Sequence, residues 1–149
     1  MEHKIQKEFI DTGFGFPIRL MNVPMVKVRG SWTPKINYHD LAKVVLLALA
    51  RRDSRLTGSE IQFIRTHFEM TLAEFSKRFC VTHVAVLKWE KAKAHPTAMS
   101  WTTEKDIRLF ILSRLYATPA ELAGLYAELE KLPASKVTSL HLDLTEIAA

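Results

Sequence analysis

One cysteine, Cys80, is all the thiol chemistry the sequence holds. An intrachain disulfide framework and a cysteine-based zinc site are both excluded, which fits a reducing compartment. Long hydrophobic runs are missing too. The longest, VVLLALA at 44–50, is far too short to span a bilayer, and the opening MEHKIQKEFI has no apolar core of signal-peptide length. A cytoplasmic protein with no membrane partner is therefore expected. Catalytic signatures are equally scarce. His3, His39, His67, His83, His95 and His141 are scattered, with no H-x-x-x-H spacing or Cys/His pairing that would set metal ligands on one face. There is no G-x-S-x-G or Walker-type loop, and Cys80 has no evident histidine base beside it. GFGF at 13–16 lacks the remaining glycine and the strand-to-helix context of a dinucleotide fingerprint, so it reads as a turn. These absences predict no enzyme, no cofactor and no bound metal.

What is present is an ordinary globular composition over 149 residues, 48% hydrophobic and 25% charged, with a formal net charge of +5. That is enough chain for one domain, or a small helical domain with a compact extension. The charge is uneven. Residues 1–56 carry ten Lys/Arg against five Asp/Glu, residues 57–99 six against four, and residues 100–149 five against seven. The basic excess lies in the first two-thirds and favours a polyanionic partner.

Residues 9–36 differ from the rest of the chain. Gly13, Gly15, Gly30, Pro17 and Pro24 punctuate them, and Val26 and Val28 alternate with Lys27 and Arg29. The pattern predicts short strands in a small sheet or hairpin, with the prolines on edge strands. Helix signals then take over. Asn37 can cap a helix whose Leu41, Val44, Val45, Ala48 and Leu49 form one stripe; Leu46 and Leu47 lie off it, so this helix should be covered on more than one side. Thr57-Gly58-Ser59-Glu60, Thr71-Leu72-Ala73-Glu74 and Thr118-Pro119-Ala120-Glu121 are capping boxes, in which the hydroxyl accepts a first-turn amide and the glutamate reaches back to the cap amide. Thr82, and Thr102 or Thr103, supply further starts.

The spacing of these starts is informative. A helix over about 58–68 is followed by one over about 72–79, and only Cys80, Val81 and Thr82 separate that one from a helix beginning at His83. Two short helices joined so tightly must cross steeply. Phe75, Phe79, Val81, Val86 and Trp89 are expected to point inward, leaving His83, Val84, Leu87 and Lys88 outside. A helix of this size fits the major groove of B-DNA, and its N-terminus carries partial positive charge and free amides suited to phosphate.

Residues 56–96, LTGSEIQFIRTHFEMTLAEFSKRFCVTHVAVLKWEKAKAHP, resemble the helix-turn-helix domain of the Cro and lambda repressor class, the XRE family. The likeness rests on T-L-A-E-F at the second helix start, the V-T turn, V-L-K-W-E closing the third helix and the basic segment to Pro96. It implies base-reading positions at Thr82, His83, Val84 and Lys88, and backbone contacts near Thr71, Lys91 and Lys93. Two departures stand out. Cys80 replaces the glycine of the family's turn, which requires a non-glycine residue in the left-handed region. Leu72 replaces a glutamine that touches DNA in the family.

The fold expected is mainly α, a lambda repressor-like helix-turn-helix domain with a small β-containing N-terminal lobe. Its parts are a lobe with a linking helix at 1–55, the XRE-type domain at 56–132 and a strand-like extension at 133–149. In that extension Leu140, Leu142 and Leu144 alternate with His141 and Asp143, and the segment is expected to pair with the lobe's edge or with a second subunit. Lys131, Leu132 and Pro133 should end the helix before it. The layout is similar to that of MqsA-type antitoxins without their zinc cysteines. The readings are thus a sequence-specific repressor of an operator in double-stranded DNA, acting as an antitoxin with a toxin partner or as a stand-alone regulator, or an interaction module that keeps the fold without DNA readout. A homodimer is expected, because one recognition helix reads few base pairs. Phe14, Phe16, Ile18, Leu20, Met21, Val23 and Met25, with Leu46 and Leu47, would otherwise leave an apolar patch for a second copy or a toxin to cover.

Overall fold

The first hairpin is closed by short-range polar chemistry. Asp11 Oδ1 accepts from the Gly13 amide at 2.7 Å, Gly15 turns with φ of 97°, and the Tyr38 hydroxyl donates to Asp11 Oδ2 at 3.0 Å. In this computed structural model, which describes residues 2–115, 118–130 and 139–147, the hairpin strands are β1 (His3–Asp11) and β2 (Ile18–Val28), antiparallel from His3 opposite Val26 to Asp11 opposite Ile18. Strand β3 (Ser31–Pro34) pairs antiparallel with the end of β2, and β4 (Leu140–Asp143) pairs parallel with its start. The sheet belongs to a compact unit of Met1–Val45 and Ser139–Ala149; a second unit spans Leu46–Thr138. The molecule is therefore mixed α/β rather than mainly α, with a four-stranded sheet where a minor lobe was expected.

One strand expectation is corrected. Pro24 lies in the central strand β2, not on an edge. Its carbonyl accepts from the Lys35 amide at 2.7 Å, so its missing N–H faces the side where β4 has ended at Met21 and the β3 ladder begins at Met25; the lost donor falls at a gap. The inward residues of β2 are Ile18, Leu20, Val23 and Met25. The inward set changes phase between Leu20 and Val23. The break is at Asn22, which has φ of 54° and whose amide donates to both Asp143 carboxylate oxygens at 3.0 and 3.1 Å. Asparagine tolerates this left-handed conformation better than most residues.

Helix α1 (Tyr38–Arg51) starts as expected, with Asn37 Oδ1 accepting from the His39 and Asp40 amides. In the first unit Phe16, Leu41, Ala42, Val45, Leu140 and Leu142 are buried together with the inward residues of β2. The apolar segment expected to await a second copy is thus mostly closed within the chain itself. Leu46 is buried and Leu47 half-buried. The C-terminal strand takes the first of its two expected places, beside β2 of its own chain, followed by the short α7 (Leu144–Ile147).

The second unit holds α2 (Gly58–His67), α3 (Leu72–Arg78), α4 (His83–Lys91), α5 (Trp101–Arg114) and α6 (Pro119–Glu130). Both halves of the capping box form at Thr57/Glu60 and at Thr71/Glu74, and Thr118 accepts from the Glu121 amide. Helix α5 is capped by Ser100, not by Thr102 or Thr103; Ser100 Oγ accepts from the Thr103 amide at 3.2 Å. The helix stop expected at Lys131, Leu132 and Pro133 lies outside the described residues.

Candidate nucleic-acid interface

The turn between α3 and α4 runs Phe79, Cys80, Val81, Thr82. Cys80 has φ of 57°, so this cysteine stands in the left-handed region where the resembled family has glycine. Thr82 is the N-cap of α4, with Oγ1 accepting from the Ala85 amide at 3.0 Å. Phe75, Phe79, Val86 and Trp89 are buried and Val81 is half-buried. The Phe75 and Phe79 rings lie 4.7 Å apart, and Phe79 meets Phe110 of α5 edge-on at 5.5 Å. Aromatic packing thereby joins α3 to α5, and α4 buries one face through Val86, Trp89 and Glu90.

Every residue singled out from the sequence is exposed: Thr71, Thr82, His83, Val84, Lys88, Lys91 and Lys93. Val84, Lys88 and Lys91 recur at i, i+4 and i+7, which is a single stripe, and His83 adjoins it in the first turn. Val84 is 72% exposed. Leu87 and Leu72, expected on the outer surface, are half-buried. The side chains of His83, Lys88, Lys91 and Lys93 form no ion pair among the described residues. Thr71 opens the preceding helix, where its cap interaction with Glu74 holds that carboxyl below the usual range. Lys93 sits beyond α4 at φ of 54°, so its backbone has a structural part as well.

Three supports of this surface were not read from the sequence. The first is Gly58. A Cβ there would collide with the Trp89 carbonyl oxygen and lie 2.7 Å from the Lys93 nitrogen, so α2 meets the end of α4 backbone to backbone. The Ser59 amide donates to Lys93 O at 3.0 Å and the Gly58 amide to His95 O at 3.2 Å. A glycine at the first position of a capping box was the available clue. The second is a clasp between Arg65 of α2 and Glu90 of α4, with Nε to Oε2 at 2.6 Å and Nη2 to Oε1 at 2.9 Å, while Arg65 Nη1 also donates to Met70 O at 3.0 Å. This bidentate pair is shielded and charge-assisted, and it raises the Arg65 pKa.

The third is a polar cluster under the segment leading into α2. Glu104 and Arg108 of α5 are both fully buried. Glu104 accepts from the Leu56 amide, from Arg55 Nε at 2.9 Å and from Arg108 Nη2 at 2.7 Å. Arg108 also donates to the carbonyls of Arg52 and Ser54. Burial lowers the Arg108 pKa despite the glutamate beside it, and Arg52 forms a further buried pair with Glu60. Such groups are tolerated inside only because each charge has a partner.

Compared with known proteins, the chain matches no family model, no curated protein and no solved structure. Function has to be argued from this surface. It presents exposed cations, one imidazole and one aliphatic side chain on a helix whose other face is buried. Among the described residues no group of three His, Cys, Asp or Glu side chains is placed to hold a metal ion. No helix among them is long and apolar enough to cross a membrane.

Proposed function

We propose that the chain is a sequence-specific DNA-binding regulator in which α3 and α4 act as a helix-turn-helix of the Cro and lambda repressor class, with α4 entering the major groove. The observation that carries this reading is the division of α4 into two faces. Val86, Trp89 and Glu90 are buried, whereas His83, Val84 and Lys88 project into solvent with no ion pair to another described residue. In that pose His83 and Lys88 can hydrogen-bond base edges, and the Val84 methyls can pack on a thymine methyl. Lys91, Lys93 and the Thr71 end of α3 contact the sugar-phosphate backbone and set register rather than sequence. The layout of a sheet-bearing unit followed by a helical unit supports the antitoxin setting, in which the same protein represses its operon and binds a toxin.

The test is fluorescence anisotropy with the duplex lying immediately upstream of the protein's own gene, against a scrambled duplex of equal length. Preferential binding is expected, at least about a hundredfold at physiological salt. Equal affinity for both duplexes overturns the reading. The exposure of Val84 favours a second reading, an interaction module that uses this surface for a protein; it predicts tight partner binding blocked by Val84→Lys, with no DNA preference.

A further inference from the structure

The outer edge of β1 is open: among the described residues β1 pairs with β2 alone. It is nine residues long, and its Ile5 and Ile10 are 69% and 48% exposed. A long edge carrying exposed branched side chains is a template for another strand. From the sequence of that edge we infer that β1 pairs antiparallel with β1 of a second copy, Lys7 opposite Glu8, to make one sheet continuous across a two-fold dimer.

Charge complementarity chooses the occupant. Written from Lys4 to Asp11 the strand reads K-I-Q-K-E-F-I-D. Turned end over end against itself about the Lys7–Glu8 step, it sets Lys4 against Asp11, Ile5 against Ile10, Gln6 against Phe9 and Lys7 against Glu8. Each lysine meets an acid and the two exposed isoleucines meet each other. Opposite charges and branched apolar pairs directly across a ladder stabilise it, and like charges do the reverse. A two-residue slip puts Lys4 against Phe9 and Glu8 against Ile5, which loses these matches.

The backbone agrees, for an unexpected reason. In a regular strand residues 5 and 10 direct their N–H and C=O groups to opposite edges, so they could not bond to each other's copies. Here the Lys27 amide donates to Glu2 O at 3.0 Å, and the Pro24 carbonyl points toward Lys35. Glu2 therefore faces β2, and Ile5, opposite Pro24, faces outward. Beyond Lys7 the side chains change phase with β2: Gln6 is half-buried before the step, Phe9 half-buried and Asp11 buried after it. Chirality ties side-chain face to backbone direction within a strand, so after the shift Ile10 also faces outward. Both ends of the Ile5–Ile10 pair thus present donors and acceptors to the open edge. The side-chain bond now on that edge, Gln6 Nε2 to Glu8 O at 2.7 Å, gives way to the ladder.

The inference does not depend on DNA binding. Light scattering of the full chain across micromolar concentrations should give a dimer of about twice the 17.0 kDa chain mass. Lys7→Glu sets Glu against Glu twice per dimer, and Glu8→Lys sets Lys against Lys twice. Each alone should dimerise on the order of tenfold more weakly, and an equimolar mixture of the two should recover the parental mass as a heterodimer. Ile5→Pro, which deletes only an outward N–H, should also be monomeric, with circular dichroism confirming the fold of every variant. A parent that is monomeric at all concentrations, or a dimer indifferent to both charge variants, refutes the β1 pairing.

Discussion

At the scale of single residues, Cys80 is the clearest test of how the turn is built. A cysteine at φ of 57° bears a steric cost of about 1 kcal/mol that glycine avoids. Cys80→Gly should therefore raise the melting temperature by a few degrees, with DNA binding unchanged. Thr82→Ala removes the cap on α4 and should lower stability by about 1 kcal/mol in a denaturant titration. His83→Ala and Lys88→Ala should weaken DNA binding several-fold while leaving the melting temperature alone, because both side chains are exposed. Parental affinity in both variants would remove α4 from the interface. Asp143 adds a pH-dependent effect: its hydrogen bonds from Asn22 and Thr145 hold its pKa below the ordinary 3.8. A depressed carboxylate stabilises the fold above its unfolded pKa and loses that contribution as pH falls through the folded one. Asp143→Asn should flatten this acid limb in a melting series below about pH 4. The caps at Thr57, Thr71 and Thr82 were legible because each acts within three residues; Ser100 is hidden by the two threonines close behind it.

At the scale of elements, the helix starts were readable, while of the sheet the strands within 9–36 and at 140–143 were readable but the length of β1 and the inward phase of β2 were not. Apolar spacing and capping boxes are local signals, and α2, α3 and α4 begin where those signals put them. Asn22 shifts the inward phase of β2, so that strand has no single alternation to detect, whereas the alternation of Leu140 and Leu142 did mark β4, and only its choice of β2 as partner lay outside local spacing. The exposed faces of α3 and α4 followed from helical geometry, whereas the buried supports did not, because a long-range contact such as Arg65 with Glu90 leaves no trace in spacing. Gly58→Ala should test the close approach of α2 to α4, costing at least about 2 kcal/mol since the added carbon meets backbone on two sides. Arg65→Ala strands the Glu90 carboxylate and should cost about 3 kcal/mol. Glu90→Gln, which keeps the shape, should cost less.

At the scale of the whole molecule, the two units yield separable expectations. Removing residues 139–149 takes away β4 with buried Leu140 and Leu142, so the melting temperature should fall; an unchanged transition would mean that β4 contributes nothing to the first unit. Salt should act on the second unit's function instead. With Lys91 and Lys93 of each chain proposed on the sugar-phosphate backbone and two copies on a palindromic site, the logarithm of affinity should fall against the logarithm of salt with a slope of about −4. Lys91→Ala should make that slope shallower by about two. The Gly58 contact also limits how such a protein can be regulated. Where two helices touch through their main chains with no room for a methyl group, neither sliding nor rotation between them is available as a signal. On the proposed reading of α4, the contact at Gly58 opposes tilting that helix as a means of control and leaves occupancy of its surface, by masking or by the number of copies held together, as the expected route.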